Sequence, residues 1–191
     1  MPGQCGELPR GVNLVPVRFK VHEGCFPHFV TCTVAHWIPV FCRDDYFAIL
    51  VDSLNYCSEH KGLSVHGCVL MPNHLHGVFS QADGHLCDVM RDLKRHTSKT
   101  VAQRLETDGR SLWLRAFTNA GRATGNIKVW MDEFHPEQVY SREFFEQKLS
   151  YLHDNPVRAG FVEDPCDWKY SSAGFYYREA SSLIRIAVIE W

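Results

Sequence analysis

The stretch LSVHGCVLMPNHLHGVFS, residues 63–80, is an apolar run broken once, at Pro72-Asn73. Each half has the length and composition of a β-strand, and a turn this short between adjacent strands makes an antiparallel pair. Side chains alternate along a strand, so His74 and His76 share one face while Leu75 and Gly77 take the other. At a rise of about 3.3 Å per residue, the two imidazoles stand roughly 7 Å apart at the backbone and can converge on one ion. The competing reading is two surface or hydrogen-bonded histidines, which is the commoner meaning of an isolated H-x-H. A working metal site also needs a third protein ligand and open positions for substrate.

Working outward, HFVTCTVAHW (28–37) alternates as a strand, with Phe29, Thr31 and Thr33 opposite Val30, Cys32 and Val34. RDDYFAILVDSLNYCSEH (43–60) places Phe47, Leu50, Leu54 and Cys57 at helical spacing, with Asp44 expected to cap its start. HLCDVMRDLKRHTSKTVAQRLE (85–106) reads as a second helix and NIKVWMDEF (126–134) as a fourth strand. Residues 107–126 are rich in Gly, Asn and Thr and are expected to form a long surface loop. SREFFEQKLSYLHDN (141–155) is a further helix. The order β-α-β-β-α-β predicts an α+β, ferredoxin-like fold: an antiparallel sheet with two helices on one face, an additional C-terminal helix and an irregular tail. The expected boundaries are an N-terminal arm over 1–25, one domain over 26–163, and a tail over 164–191 that packs on the domain or contacts DNA.

Composition works by exclusion. The 191 residues suffice for one core, and no repeat or second domain is visible. No unbroken apolar run approaches the roughly 18 residues of a membrane span, and the first residues lack a signal peptide's hydrophobic region, so a cytoplasmic protein without membrane contact is expected. Eight cysteines are scattered with no C-x-x-C pair, which supports neither a zinc ribbon nor a dithiol motif; several look like small core residues. A net charge of −2 argues against coating duplex DNA through bulk positive charge, yet permits a local basic groove. Arg91, Lys94, Arg95 and Lys99 form one candidate strip for tracking phosphates. The same residues also fit the solvated face of an amphipathic helix.

The late helix is the place to seek the missing ligand. Phe145, Leu149 and Leu152 form its core stripe, while Tyr151 and Asn155, four residues apart, lie together about a quarter turn away. Tyr151 is thus poorly explained as core and is free to offer a phenolic oxygen to a substrate. Asn155 offers an amide oxygen to a metal, or else simply ends the helix before Pro156. Of the neighbouring groups able to accept a proton, Lys148 shares the side of Tyr151 and His153 does not. Trp168, Tyr170, Phe175, Tyr176 and Tyr177 in the tail either stack on unpaired bases or pack over the sheet.

CVLMPNHLHGVF together with FFEQKLSYLHDNPVRAGFVEDPCDWKYSSAGFYY resembles the single-tyrosine transposases of the HUH superfamily, most closely the REP-associated tyrosine transposases. HFVTCTVAHWIPVF, LKRHTSK and VWMDEFHPEQVYSREFF support the likeness, which runs from about residue 27 to 178. The resemblance implies that His74 and His76 are metal ligands completed by Asn155, that the cofactor is Mg²⁺ or Mn²⁺, and that Tyr151 is the nucleophile. It further implies an endonuclease and strand transferase acting in DNA transposition and recombination, with single-stranded or hairpin DNA as partner and a covalent 5′-phosphotyrosine intermediate. Arg91, Lys94, Arg95, Lys99, Lys148 and Arg158 are the candidate DNA-binding residues, and the family includes both homodimers and monomers. Two rival readings remain. A barrel metallohydrolase opening on an H-x-H strand needs roughly 250 residues. A domesticated relative would bind hairpin DNA without cutting it.

Overall fold

The computed structural model describes residues 18–20, 26–132 and 135–191. In chain order the elements are β1 (Arg18–Lys20), β2 (His28–Thr33), α1 (Asp44–His60), β3 (Leu63–Met71), β4 (His74–Gln81), α2 (Leu86–Thr107), α3 (Ser111–Ala120), β5 (Glu137–Gln138), α4 (Arg142–His153), α5 (Asn155–Arg158), α6 (Ala173–Arg178) and β6 (Val188–Glu190). Four strands form an antiparallel sheet in the order β3-β4-β2-β5. The expected arm lies outside the described residues except for β1, which pairs in parallel with β6.

The Pro72-Asn73 turn makes the expected hairpin, with Leu70 opposite Leu75 and Met71 opposite His74. Because β4 runs between β3 and β2, it is hydrogen-bonded along both edges, a rigid place for two functional side chains. Apolar residues at helical spacing turn inward from α1 (Phe47, Leu50, Leu54), and Leu93 and Val101 do so from α2. They cover the sheet face onto which Cys32, Leu75 and Phe79 project, and Cys32 feels the charge of Lys94 on α2. The opposite face, carrying His74 and His76, is covered by α4. Gly67 of β3 permits this: Leu149 of α4 reaches to 2.3 Å from where a Cβ would stand on Gly67.

Four expectations change. Residues 107–126 are not a loop, because α3 occupies their centre with Phe117 fully buried and Gly121 closing the helix. The fourth strand is shorter and later than expected: among the described residues Trp130 makes an isolated bridge to Val34, and the ladder with β2 is formed by Glu137 and Gln138, after Pro136, which has no N–H to give. Asp44 does not cap α1 from outside. It is the first helical residue, and its carboxylate accepts from Lys169 Nζ and Tyr170 Oη, both at 2.7 Å.

The tail, finally, is not irregular. It carries α6 and β6, and it lies along the free edge of β3, where Leu70 N donates to Tyr170 O (2.8 Å) and Ala187 N to Val65 O (2.8 Å). Tyr170 stacks on Phe47 at 3.8 Å and Trp168 Nε1 donates to Leu70 O, so these aromatics pack over the sheet. Covering this edge satisfies backbone groups that would otherwise be a pairing hazard. Cys32, Cys57 and Cys68 are buried thiols, as a core role requires, whereas Cys42 and Cys87 are exposed. Among the described residues no helix is long and apolar enough to cross a membrane.

Candidate functional site

His74 and His76 project from β4 with ring centroids 4.8 Å apart, closer than their backbone spacing because the rings lean together. Each ring is fixed through Nδ1. Asn73 Oδ1 lies 2.7 Å from His74 Nδ1 and Thr31 Oγ1 lies 2.8 Å from His76 Nδ1. An amide oxygen can only accept, so His74 Nδ1 carries the proton and Nε2 keeps its lone pair. A His76 Nδ1–H donating to Thr31 leaves the second ring in the same state. Phe29 stacks on His76 at 5.5 Å and closes the inner side. Burial pushes His76 down to about 3, with the repulsion a protonated His74 would exert and the charge of Lys148 adding to the effect. Burial also lowers His74, against a hydrogen bond that the protonated ring can donate to the Asn155 amide oxygen. Both rings are therefore held neutral, the form that ligates metals.

Tyr151 leaves α4 beside this pair. Its ring centroid is 5.4 Å from that of His76 and 5.9 Å from that of Phe29, and the residue is 42% exposed. Four residues on, Asn155 faces both the end of α4 and the histidine pair. Nδ2 donates to Tyr151 O (2.8 Å), closing the last turn of α4, and the side chain is also the hydrogen-bond partner of His74. Among the described residues no three His, Cys, Asp or Glu side chains gather as metal ligands, and the polar group beside the histidine pair is this amide, an oxygen donor next to two nitrogen donors.

The basic residues divide. Arg158 holds its guanidinium 5.6 Å from the Tyr151 ring centroid. Lys148 Nζ stands 4.6 Å from the Phe29 ring centroid and 2.6 Å from Glu137 Oε2. Both border the site. Arg91, Lys94, Arg95 and Lys99 do not, because α2 lies across the sheet from α4. Arg91 pairs with Asp88 (2.8 Å) and Arg95 with Asp92 (2.9 Å), while Lys94 Nζ donates to Met131 O and holds that segment in place. His153 points inward to Ser172 Oγ (2.7 Å) and Tyr177 Oη (3.0 Å), away from the phenol. The sequence reading missed Thr31, Asn73, Phe29 and Trp37. Asn73 was legible as the neighbour of His74, whereas the others depend on strand register or loop course.

No family model matches the chain. A curated relative, the REP-associated tyrosine transposase of Escherichia coli strain K12, is 19% identical over 112 residues, which are 59% of this chain and 55% of that protein. The matched region thus spans about half the length of that relative. A solved REP-associated tyrosine transposase bound to a REP hairpin superposes with a TM-score of 0.59 at 16% identity, covering 87% of this chain and 92% of the other. The chain shares that structure's fold. That likeness concerns architecture, and the chemistry has to be argued from the side chains.

Proposed function

We propose that this protein is a metal-dependent single-stranded DNA endonuclease and strand transferase of the HUH single-tyrosine type, a transposase acting at hairpin-associated sites. The observation that carries the proposal is the meeting, within one chain, of two imidazoles oriented through Nδ1, the Asn155 amide and a half-exposed phenol. The scaffold agrees with it, since the sheet order β3-β4-β2-β5 is the one a ferredoxin-like β-α-β-β-α-β unit produces. All four groups meet within one chain, an arrangement that suits a monomer and a homodimer alike.

His74, His76 and Asn155 would hold Mg²⁺ or Mn²⁺, whose chemistry is to draw charge from the non-bridging oxygens of a phosphodiester. Tyr151 Oη attacks phosphorus in line. The bond to the 3′-oxygen breaks, that oxygen leaves as a hydroxyl with a proton, and the 5′ side stays on the enzyme as a phosphotyrosine. A 3′-hydroxyl from another strand end reverses the step and rejoins DNA without ATP. Phenol suits a reversible link because, with a reference pKa of about 10, it leaves more readily than an aliphatic alcohol. Arg158 and Lys148 flank the phenol and meet the charge that builds on the phosphate. Exposed Lys99, with Arg91 and Arg95 beside it, offers a separate phosphate-tracking strip on the far layer.

Labelled single-stranded hairpin oligonucleotides incubated with the protein and Mn²⁺ test this directly. The expected result is a covalent protein–DNA adduct on a denaturing gel, lost in Tyr151→Phe. An adduct that persists in Tyr151→Phe refutes the nucleophile. Hairpin binding with no adduct from the unaltered chain would instead favour the non-cutting DNA binder.

A further inference from the structure

His36 and Trp37 both sit in left-handed backbone, with φ of 59° and 56°. A bulky residue in that region costs on the order of 1–3 kcal/mol and survives only where its surroundings impose it. Here they do. Val34 N donates to Asn73 O (2.8 Å), Ala35 N to Val129 O (2.7 Å) and Phe41 N to Pro72 O (2.9 Å), and Val34, Ala35, Val40 and Phe41 are all buried. The loop is thereby clamped at both ends to the turn that launches His74. The result is a tryptophan turned away from the core. Trp37 lies at the rim of the site, its ring 6.3 Å from the His74 ring at an interplanar angle of 64°, and at 59% exposure most of the indole stands in solvent.

We propose that Trp37 is a stacking platform for an unpaired nucleobase next to the phosphate held at the His74–His76 pair. This rests on the reading of the site as a place for single-stranded DNA. An aromatic face takes any base, because every base has a π-face, and a base that stacks here must be out of a duplex. Trp37 thus supplies affinity for single strands at the reacting position, where the cationic residues supply it for the backbone.

The experiment uses the full chain carrying Tyr151→Phe, so that cleavage plays no part, and a short fluorescein-labelled oligothymidylate followed by anisotropy. Adding Trp37→Ala is expected to weaken binding roughly 5- to 100-fold, while Trp37→Phe keeps most of the affinity. The dependence of affinity on salt should be unchanged, since an indole neutralises no phosphate. Equal affinity in Trp37→Ala, a loss accompanied by a shallower salt dependence, or no binding of the oligonucleotide by the Tyr151→Phe chain overturns the proposal. These results are separate from the adduct assay, whose failure would sink strand transfer and leave the stacking measurement standing.

Discussion

Thr31 and His76 are 45 residues apart in sequence but face each other across the β2–β4 ladder, and the hydroxyl orients the imidazole through Nδ1 so that Nε2 faces the site. Thr31→Val keeps the shape and strand preference of residue 31 while removing the partner of Nδ1. The ring then loses the contact that orients it and is free to carry its proton on Nε2, the atom a cation needs. Mn²⁺ affinity by calorimetry is expected to fall about 10- to 100-fold, the usual effect of losing such a partner. The adduct should weaken in step, and unchanged Mn²⁺ binding would break the link between the hydroxyl and the ring. A similar loss is expected from His76→Ala, but Thr31→Val isolates orientation from ligation.

At the scale of elements, the site exists because α4 comes close to β3, and Gly67 sets that distance. Leu149 is almost wholly buried, so it has little room to turn away from a new methyl group. Gly67→Ala is expected to cost about 1–3 kcal/mol in denaturant unfolding, as overpacking does, and to shift α4 outward with Tyr151. Adduct formation should then drop while the histidine pair, on β4, still binds Mn²⁺. Adding Leu149→Val should restore both stability and adduct. If Gly67→Ala leaves the adduct untouched, the position of α4 does not govern the reaction.

Much of this arrangement was legible beforehand because it is periodic. The H-x-H pair follows from alternation, and Tyr151 with Asn155 from helical spacing. What was hidden was set elsewhere in the chain. Trp113 and Phe117 stand at helical spacing, yet the Gly, Asn and Thr around them suggested a loop until Phe117 was seen to be buried. The path of the tail along β3 has no periodic signature at all, since it depends on an open strand edge. The α2 basic strip was visible as a pattern, but which side of the sheet it faces is a property of the packed molecule.

For the molecule as a whole, the tail is a structural brace, and His66 is where it is fastened. His66 is the extra residue of a bulge in β3, between Val65 paired with Phe79 and Gly67 paired with Val78. It is fully buried, with Nδ1 2.7 Å from Ala187 O and Nε2 2.7 Å from Ser80 Oγ. Burial pushes the ring down to about 4, only partly opposed by the Ala187 carbonyl. A folded-state value below the unfolded one of about 6.5 means that the unfolded chain takes up the proton first as pH falls. The contribution of His66 is therefore complete above about pH 6.5, is lost as pH falls through the window down to about 4, and changes no further below it. Between pH 7 and 5 this amounts to about 2 kcal/mol, or a fall of roughly 4–8 °C in the unfolding midpoint for a chain of this size. His66→Gln cannot titrate. It should be less stable at pH 7, where its amide fits the bulge less well, and it should show a shallower decline from pH 7 to 5. Thermal unfolding followed by circular dichroism checks this, and identical slopes in the two proteins would place the acid sensitivity elsewhere.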